Sequence, residues 1–207
     1  MIERDFTQRW SELHGNVEIS GVVRIWLTIS YRVSRTLQLL RITPNQLTSF
    51  GVLAALLIIP QSTSLSAAGF LVLSLLCDGL DGSLAILSEK SSERGALFDS
   101  IADRISEAVW AITFYKIGAP FALVATAWLL ANAQEYLRAR AGGLGFPEIG
   151  VVSIAERPVR ASLLFFAMVA LHLKSGLITP IAALWLAMQA VALCQVARST
   201  YRRLSPH

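Results

Sequence analysis

Cysteine is nearly absent. Cys77 and Cys194 are the only two, each inside an apolar stretch and far apart, which excludes a disulfide framework or a metal–thiolate site and leaves buried, inert thiols as the expectation. Charge is sparse as well, at 15% of 207 residues, and the net excess of +4 (pI about 9.4) gathers at the ends of apolar blocks. No continuous basic stripe with interleaved aromatics exists, which excludes a nucleic-acid partner and favours anionic headgroups and phosphates. The opening residues also lack the pattern of a cleavable leader. They are polar and of mixed sign (Glu3, Arg4, Asp5, Arg9, Glu12), unlike a basic and then apolar leader, so the N-terminus is expected to stay in the mature protein.

What the chain has in abundance is apolar side chains, at 54% of residues and a mean hydropathy of +0.56. They come in long blocks separated by charged segments, as in a membrane domain. A hydrocarbon core about 30 Å thick takes about 20 residues per helix. That ruler predicts an all-α membrane protein with six transmembrane helices near 43–62, 67–88, 93–117, 119–142, 155–174 and 178–202, with Pro44, Pro60, Pro120 and Pro180 near their ends, where proline is tolerated. Residues 18–41 place Val22, Ile25, Trp26, Ile29, Val33 and Leu37 at helical steps opposite Arg24, Arg32 and Arg35, which predicts an amphipathic juxtamembrane helix lying on the bilayer rather than a seventh span. The expected division is 1–42, a cytoplasmic interfacial segment, and 43–207, a transmembrane catalytic domain. Arginines and lysines crowd one side of this plan, which puts both termini and the loops near 90 and 148 in the cytoplasm.

Four aspartates lie in the second and third spans, where a lone carboxylate is expensive. Asp78 and Asp81 are three apart and Asp99 and Asp103 four apart, so each pair shares a helix face and a hairpin can turn the faces together. Four such acids need a cation. Carboxylate oxygens without histidine or cysteine select Mg²⁺ or Mn²⁺, and four can hold two ions that clamp a diphosphate while one carboxylate orients or deprotonates a nucleophile. Gly79, Gly82, Ala85, Gly95 and Ala96 are interleaved with the acids. A helical glycine costs about 1 kcal/mol against alanine, so the run suggests either a planar group such as a nucleotide base approaching the backbone, or close helix packing.

The pattern Asp78-x-x-Asp81-Gly82-x-x-Ala85, then Gly95-x-x-x-Asp99-x-x-x-Asp103, resembles the signature of the CDP-alcohol phosphotransferases, D-x-x-D-G-x-x-A-R, eight residues, G-x-x-x-D-x-x-x-D, at seven of its eight fixed positions. The resemblance implies transfer of a phosphatidyl group from a CDP-linked lipid to an alcohol with release of CMP, two Mg²⁺ or Mn²⁺ ions, a six-helix membrane plan and a homodimer. By position it implies Asp78, Asp81, Asp99 and Asp103 as metal ligands, Asp103 also as the catalytic base, and Asp81, Gly82, Ala85 and Gly95 around the nucleotide. Pro44, Asn45 and Thr48 look like the family's P-N-x-x-T helix start, which also borders the nucleotide.

The signature's arginine is replaced by Ile86. That departure leaves open weaker donor binding, a shift of the diphosphate's charge partner to Lys90 or Arg94, or a silent relative that only binds nucleotide or lipid. If the change only weakens the enzyme, restoring arginine is expected to raise activity.

Downstream, Glu135-Tyr136-Leu137-Arg138-Ala139-Arg140-Ala141 and Glu156-Arg157-Pro158-Val159-Arg160 bring Arg138, Arg140, Arg157 and Arg160 to one level, where guanidinium groups suit an acceptor that itself carries a phosphate. An ordinary basic rim on anionic lipid explains the same charge. The first segment is similar to the S-Y-x-K-A-R-A stretch of bacterial phosphatidylinositol-phosphate synthases, with Glu135 in place of the serine, where a carboxylate would repel a phosphate or bind a polyol hydroxyl. Inositol phosphate, glycerol phosphate and other polar alcohols remain open as acceptors. His172 lacks a second ligand at metal spacing and reads as interfacial, and Trp110, Trp128 and Trp185 read as packing or belt residues. An ion transporter would spread its acids through the membrane's depth, whereas these cluster near one end.

Overall fold

The computed structural model describes residues 1–13, 18–145 and 152–204, and those residues form α-helices joined by turns. The elements are α1 (Glu3–Leu13), α2 (Gly21–Leu39), α3 (Pro44–Ile58), α4 (Ser66–Leu87), α5 (Glu93–Lys116), α6 (Phe121–Gly143), α7 (Arg157–His172) and α8 (Ile178–Leu204). The six helices α3 to α8 lie where the six apolar blocks predict them, and α2 occupies the amphipathic stretch. Helix α1 is an addition that the polar opening residues did not suggest. The loop expected near residue 148 lies outside the described residues.

Local chemistry fixes the helix ends. Thr43 and Gln46 cap α3 reciprocally, the Gln46 N–H donating to Thr43 Oγ1 (3.3 Å) and the Thr43 N–H to Gln46 Oε1 (2.9 Å), with Pro44 as first helical residue. Among the described residues, four helices close by one device, in which a residue with positive φ turns the chain and the next N–H reaches back five residues. These residues are Arg41 (φ 60°) after α2, Glu89 (56°) after α4, Gly118 (109°) after α5 and Lys174 (50°) after α7. The paired bonds after α4, Glu89 N–H to Ile86 O (3.2 Å) and Lys90 N–H to Ala85 O (2.9 Å), are representative. Only one of the four turns uses glycine, the residue that enters this region without strain.

Contacts divide the chain into two compact units, Met1–Ala55 with Val72–Ile105, and Leu56–Leu71 with Ser106–His207. In the first, Phe6, Leu27, Tyr31, Ile86 and Leu87 form one buried cluster against which Trp10 and Ile19 pack, and Leu47, Cys77, Leu80 and Leu84 form another. Helices α3 and α4 approach closely because Gly51 has no side chain; a Cβ there would lie 3.1 Å from that of Cys77. In the second unit α6 and α7 pack on α8, Phe114 stacks on Trp185 at 5.2 Å, and a buried amide chain runs from Gln189 to Gln134 (2.8 Å) to Ser153 (3.2 Å).

Two helices, α4 and α8, are long and apolar enough to cross a bilayer, and α3 is apolar but shorter. Helix α5 falls below that measure because Asp99, Asp103, Arg104 and Glu107 interrupt its apolar residues. Exposed Phe50, Leu53, Leu56 and Leu57 on α3, and Val72, Leu73 and Leu76 on α4, suit a hydrocarbon surround. Of the two cysteines Cys77 is buried as expected, whereas Cys194 is exposed, which corrects the expectation of two buried thiols.

Candidate active site

The first unit holds all four aspartates. Turn spacing on α4 and α5 aims Asp78, Asp99 and Asp103 at one point, where one carboxylate oxygen from each lies within 4.8 Å of the others. Three hard, anionic oxygens at that separation fit a divalent cation of the Mg²⁺ or Mn²⁺ kind. Asp81 stands apart from this trio. It is buried, and its Oδ2 accepts a 2.5 Å hydrogen bond from the hydroxyl of Thr48 on α3. Thr48 therefore acts on a carboxylate of the motif, a job that its place in the P-N-x-x-T segment did not suggest.

Beside the trio is a cavity of about 360 Å³, and Asp99 belongs to its wall. Asn45, Thr48, Asp81, Gly82, Ala85 and Gly95, the six residues that the motif groups around a nucleotide, all line it. The small residues divide by function. At Gly82 a Cβ would meet open space, so the cavity reaches the α4 backbone there, whereas at Gly79 it would lie 2.9 Å from the indole of Trp26, so that glycine seats a tryptophan. Lys90 also lines the cavity and Arg94 does not. The left-handed turn at Glu89 is what re-aims the chain to bring Lys90 there.

Ile86 is buried at 8% exposure, one side in the Phe6 cluster and the other on the cavity wall. Trp10, Leu13 and Trp26 complete that wall. The sequence reading missed Trp10 and Leu13, although Phe6, Trp10 and Leu13 at i, i+4 and i+7 are the apolar stripe of a short helix.

The second unit holds the four arginines, and their carboxylate neighbours change their reading. Arg138 grips Glu156 with both terminal nitrogens (2.9 and 2.6 Å) and lies 3.5 Å from Glu135. Glu156 also accepts the Ser153 N–H and hydroxyl. Arg160 is buried at 2% exposure, bonded to Glu107 (2.5 Å), Glu135 (3.4 Å) and the carbonyl of Ala155 (3.0 Å). Glu135 is thus a bridge between two arginines, where a phosphate-repelling or polyol-binding carboxylate was expected. Arg157 lies over the Trp110 ring at 5.2 Å, a cation–π contact, and Arg140 is exposed at the end of α6. His172 has its Nδ1 3.2 Å from Met168 O, one turn back on its own helix.

A family profile described as CDP-alcohol phosphatidyltransferase matches residues 41–196. Among curated proteins, an archaetidylinositol phosphate synthase from Pyrococcus horikoshii is 31% identical over 160 residues, 70% of this chain and 79% of that one. A phosphatidylinositol phosphate synthase from Corynebacterium glutamicum is 34% identical over 140 residues, 62% of this chain and 63% of that one. Among solved structures, the phosphatidylinositol phosphate synthase of Mycobacterium tuberculosis with CDP-DAG bound superposes with a TM-score of 0.68 at 20% identity, covering 87% of this chain and 98% of that one, and the same enzyme with manganese and citrate with a TM-score of 0.67 at 20% identity, covering 86% and 93%. The matched span takes in every motif aspartate and the carboxylate trio they build, and this chain belongs to the CDP-alcohol phosphatidyltransferase family, enzymes that pass a phosphatidyl group from a CDP-linked lipid to an alcohol and depend on a divalent metal.

Proposed function

We propose that this chain joins CDP-diacylglycerol to a polar alcohol that itself carries a phosphate, with an inositol phosphate as the first candidate. The observation that carries this reading is the convergence of Asp78, Asp99 and Asp103 beside a cavity lined by all six nucleotide-motif residues. The two curated relatives, both named for inositol phosphate products, support the acceptor class.

In this reading Asp78, Asp99 and Asp103, with Asp81 held ready by Thr48, bind two Mg²⁺ or Mn²⁺ ions, which supply positive charge to the diphosphate when bound. The cytidine nucleotide lies along Asn45, Gly82, Ala85 and Gly95. Lys90 takes the diphosphate charge that the signature's arginine meets elsewhere in the family, since Ile86 has none to offer. Asp103 accepts the proton of the acceptor hydroxyl. That oxygen bonds to the lipid-side phosphorus as the anhydride P–O bond breaks, and CMP leaves with the anhydride oxygen. Arg138, Arg140 and Arg157 receive the acceptor's phosphate, and Arg160, enclosed by carboxylates, positions Glu135 and through it Arg138. Residues 1–42 form the interfacial segment and 43–207 a six-span catalytic domain, with termini and active site facing the cytoplasm, and the protein works as a homodimer.

The test is CMP release from CDP-diacylglycerol by purified protein with Mg²⁺ or Mn²⁺, across inositol phosphate, glycerol 3-phosphate, inositol and serine. Release should need metal, favour a phosphorylated acceptor and fall at least about a hundredfold in Asp103→Asn, the range that general-base removal spans. Equal rates with inositol and inositol phosphate would refute the phosphate preference, and no release with any acceptor would mark a silent relative.

A further inference from the structure

We infer that α1 is a built-in wall of the nucleotide cavity, seated by Ile86, and that Trp10 makes one face of the slot that receives the cytosine ring. This rests on the donor reading above; helix α1 and Trp10 lie outside both the motif and the matched span 41–196, and Ile86 takes the place of the motif's arginine.

Helix α1 is held by apolar contact. Phe6, at 0% exposure, packs into a cluster with Leu27, Tyr31, Ile86 and Leu87, its ring 5.6 Å from that of Tyr31, and the Tyr31 hydroxyl donates to the carbonyl of Met1 (3.2 Å). Trp10 packs against the same cluster and continues onto the cavity wall, and Leu13 follows it one turn later. Ile86 is the shared element, touching the cluster that seats α1 and facing the cavity. An arginine there has two courses. It draws a guanidinium into an apolar cluster, or it turns into the cavity and leaves Phe6 and Trp10 without their aliphatic seat; either way α1 loosens. The isoleucine is therefore the residue that this version of the cavity requires.

The wall so completed suits a planar base joined to phosphates. Two indoles face the space, Trp10 from α1 and Trp26 from α2, the latter fixed against Gly79. Asn45 offers an amide to a base edge and Lys90 an ammonium to phosphate. A heterocycle stacked on tryptophan gains affinity irrespective of sequence-like readout, and removing one such ring lowers binding about fivefold to a hundredfold.

The test uses the full-length protein in detergent, with CMP plus Mn²⁺ as probe, read by calorimetry. Trp10→Ala should weaken CMP binding by about tenfold, and Trp10→Phe should recover most of that loss. Ile86→Arg should weaken CMP binding and, with neither metal nor nucleotide present, speed tryptic cleavage after Arg9 on α1, while Ile86→Leu should keep the slow cleavage of the native chain. Unaltered CMP affinity in Trp10→Ala, or Ile86→Arg with slow cleavage and raised turnover, would overturn the inference while leaving the transferase reading intact. Failure of the native chain to bind CMP would overturn the inference, and CMP release by that same preparation separately decides the donor reading.

Discussion

Thr48 shows how one hydroxyl can carry a disproportionate share of a site. A buried carboxylate needs every available donor, and Asp81 takes one from Thr48 at 2.5 Å across two helices. Thr48→Val keeps the shape and deletes the donor, and is expected to lower kcat/KM for CMP release roughly tenfold or more, equivalent to ~1–3 kcal/mol for an unmet buried partner. Thr48→Ser should restore most of the rate; an unchanged rate in Thr48→Val would remove Thr48 from the machinery. The four aspartates and their metal chemistry were legible in the sequence because spacing on a helix determines which side chains share a face. The tasks of Thr48, Glu135 and Ile86 were not, since each depends on a partner 25 to 80 positions away that only folding brings near, namely Asp81, Arg160 and Phe6 in turn.

At the scale of the element, the helix ends are the revealing feature. Periodicity and block length located α3 to α8 to within a few residues, because all but the charge-interrupted α5 are largely apolar runs bounded by proline or charge. Helix α1 escaped because eleven residues with only Phe6, Trp10 and Leu13 as large apolar side chains look polar on average. The closing turns escaped too, since three of four use Arg41, Glu89 or Lys174 where glycine is the usual marker. A non-glycine residue in that conformation carries about 1–2 kcal/mol of strain, partly offset by its stiffer unfolded chain. Glu89→Gly should therefore raise the melting temperature in detergent by about 2 °C with Lys90 still placed by the same turn. A fall would mean that the Glu89 side chain supports the turn in its own right.

For the whole molecule, the question is how the chain lies in the membrane. Two helices are long and apolar enough to cross a bilayer and the family is membrane-associated; the six-span plan proposed above, and its orientation, rest on block length and charge distribution. Single-cysteine labelling with a membrane-impermeant maleimide, on a background with Cys77 and Cys194 replaced, checks the orientation. Gln61→Cys, in the exposed turn before α4, should label in intact cells, and Glu93→Cys, exposed at the start of α5, only after the membrane is opened. The reverse pattern would invert the topology and place the carboxylates on the outer side. The pairing of Glu107 with Arg160 has a different kind of consequence. It ties two positions 53 residues apart into one unit of inheritance. Loss of Glu107 leaves Arg160 its longer contact with Glu135, and loss of Arg160 takes from Glu107 its short ion pair; breaking such a buried pair from one side costs roughly 3–5 kcal/mol, whereas joint replacement by well-packed apolar residues is near neutral. Single changes are costly at both positions, and the pair is expected to be kept or lost together.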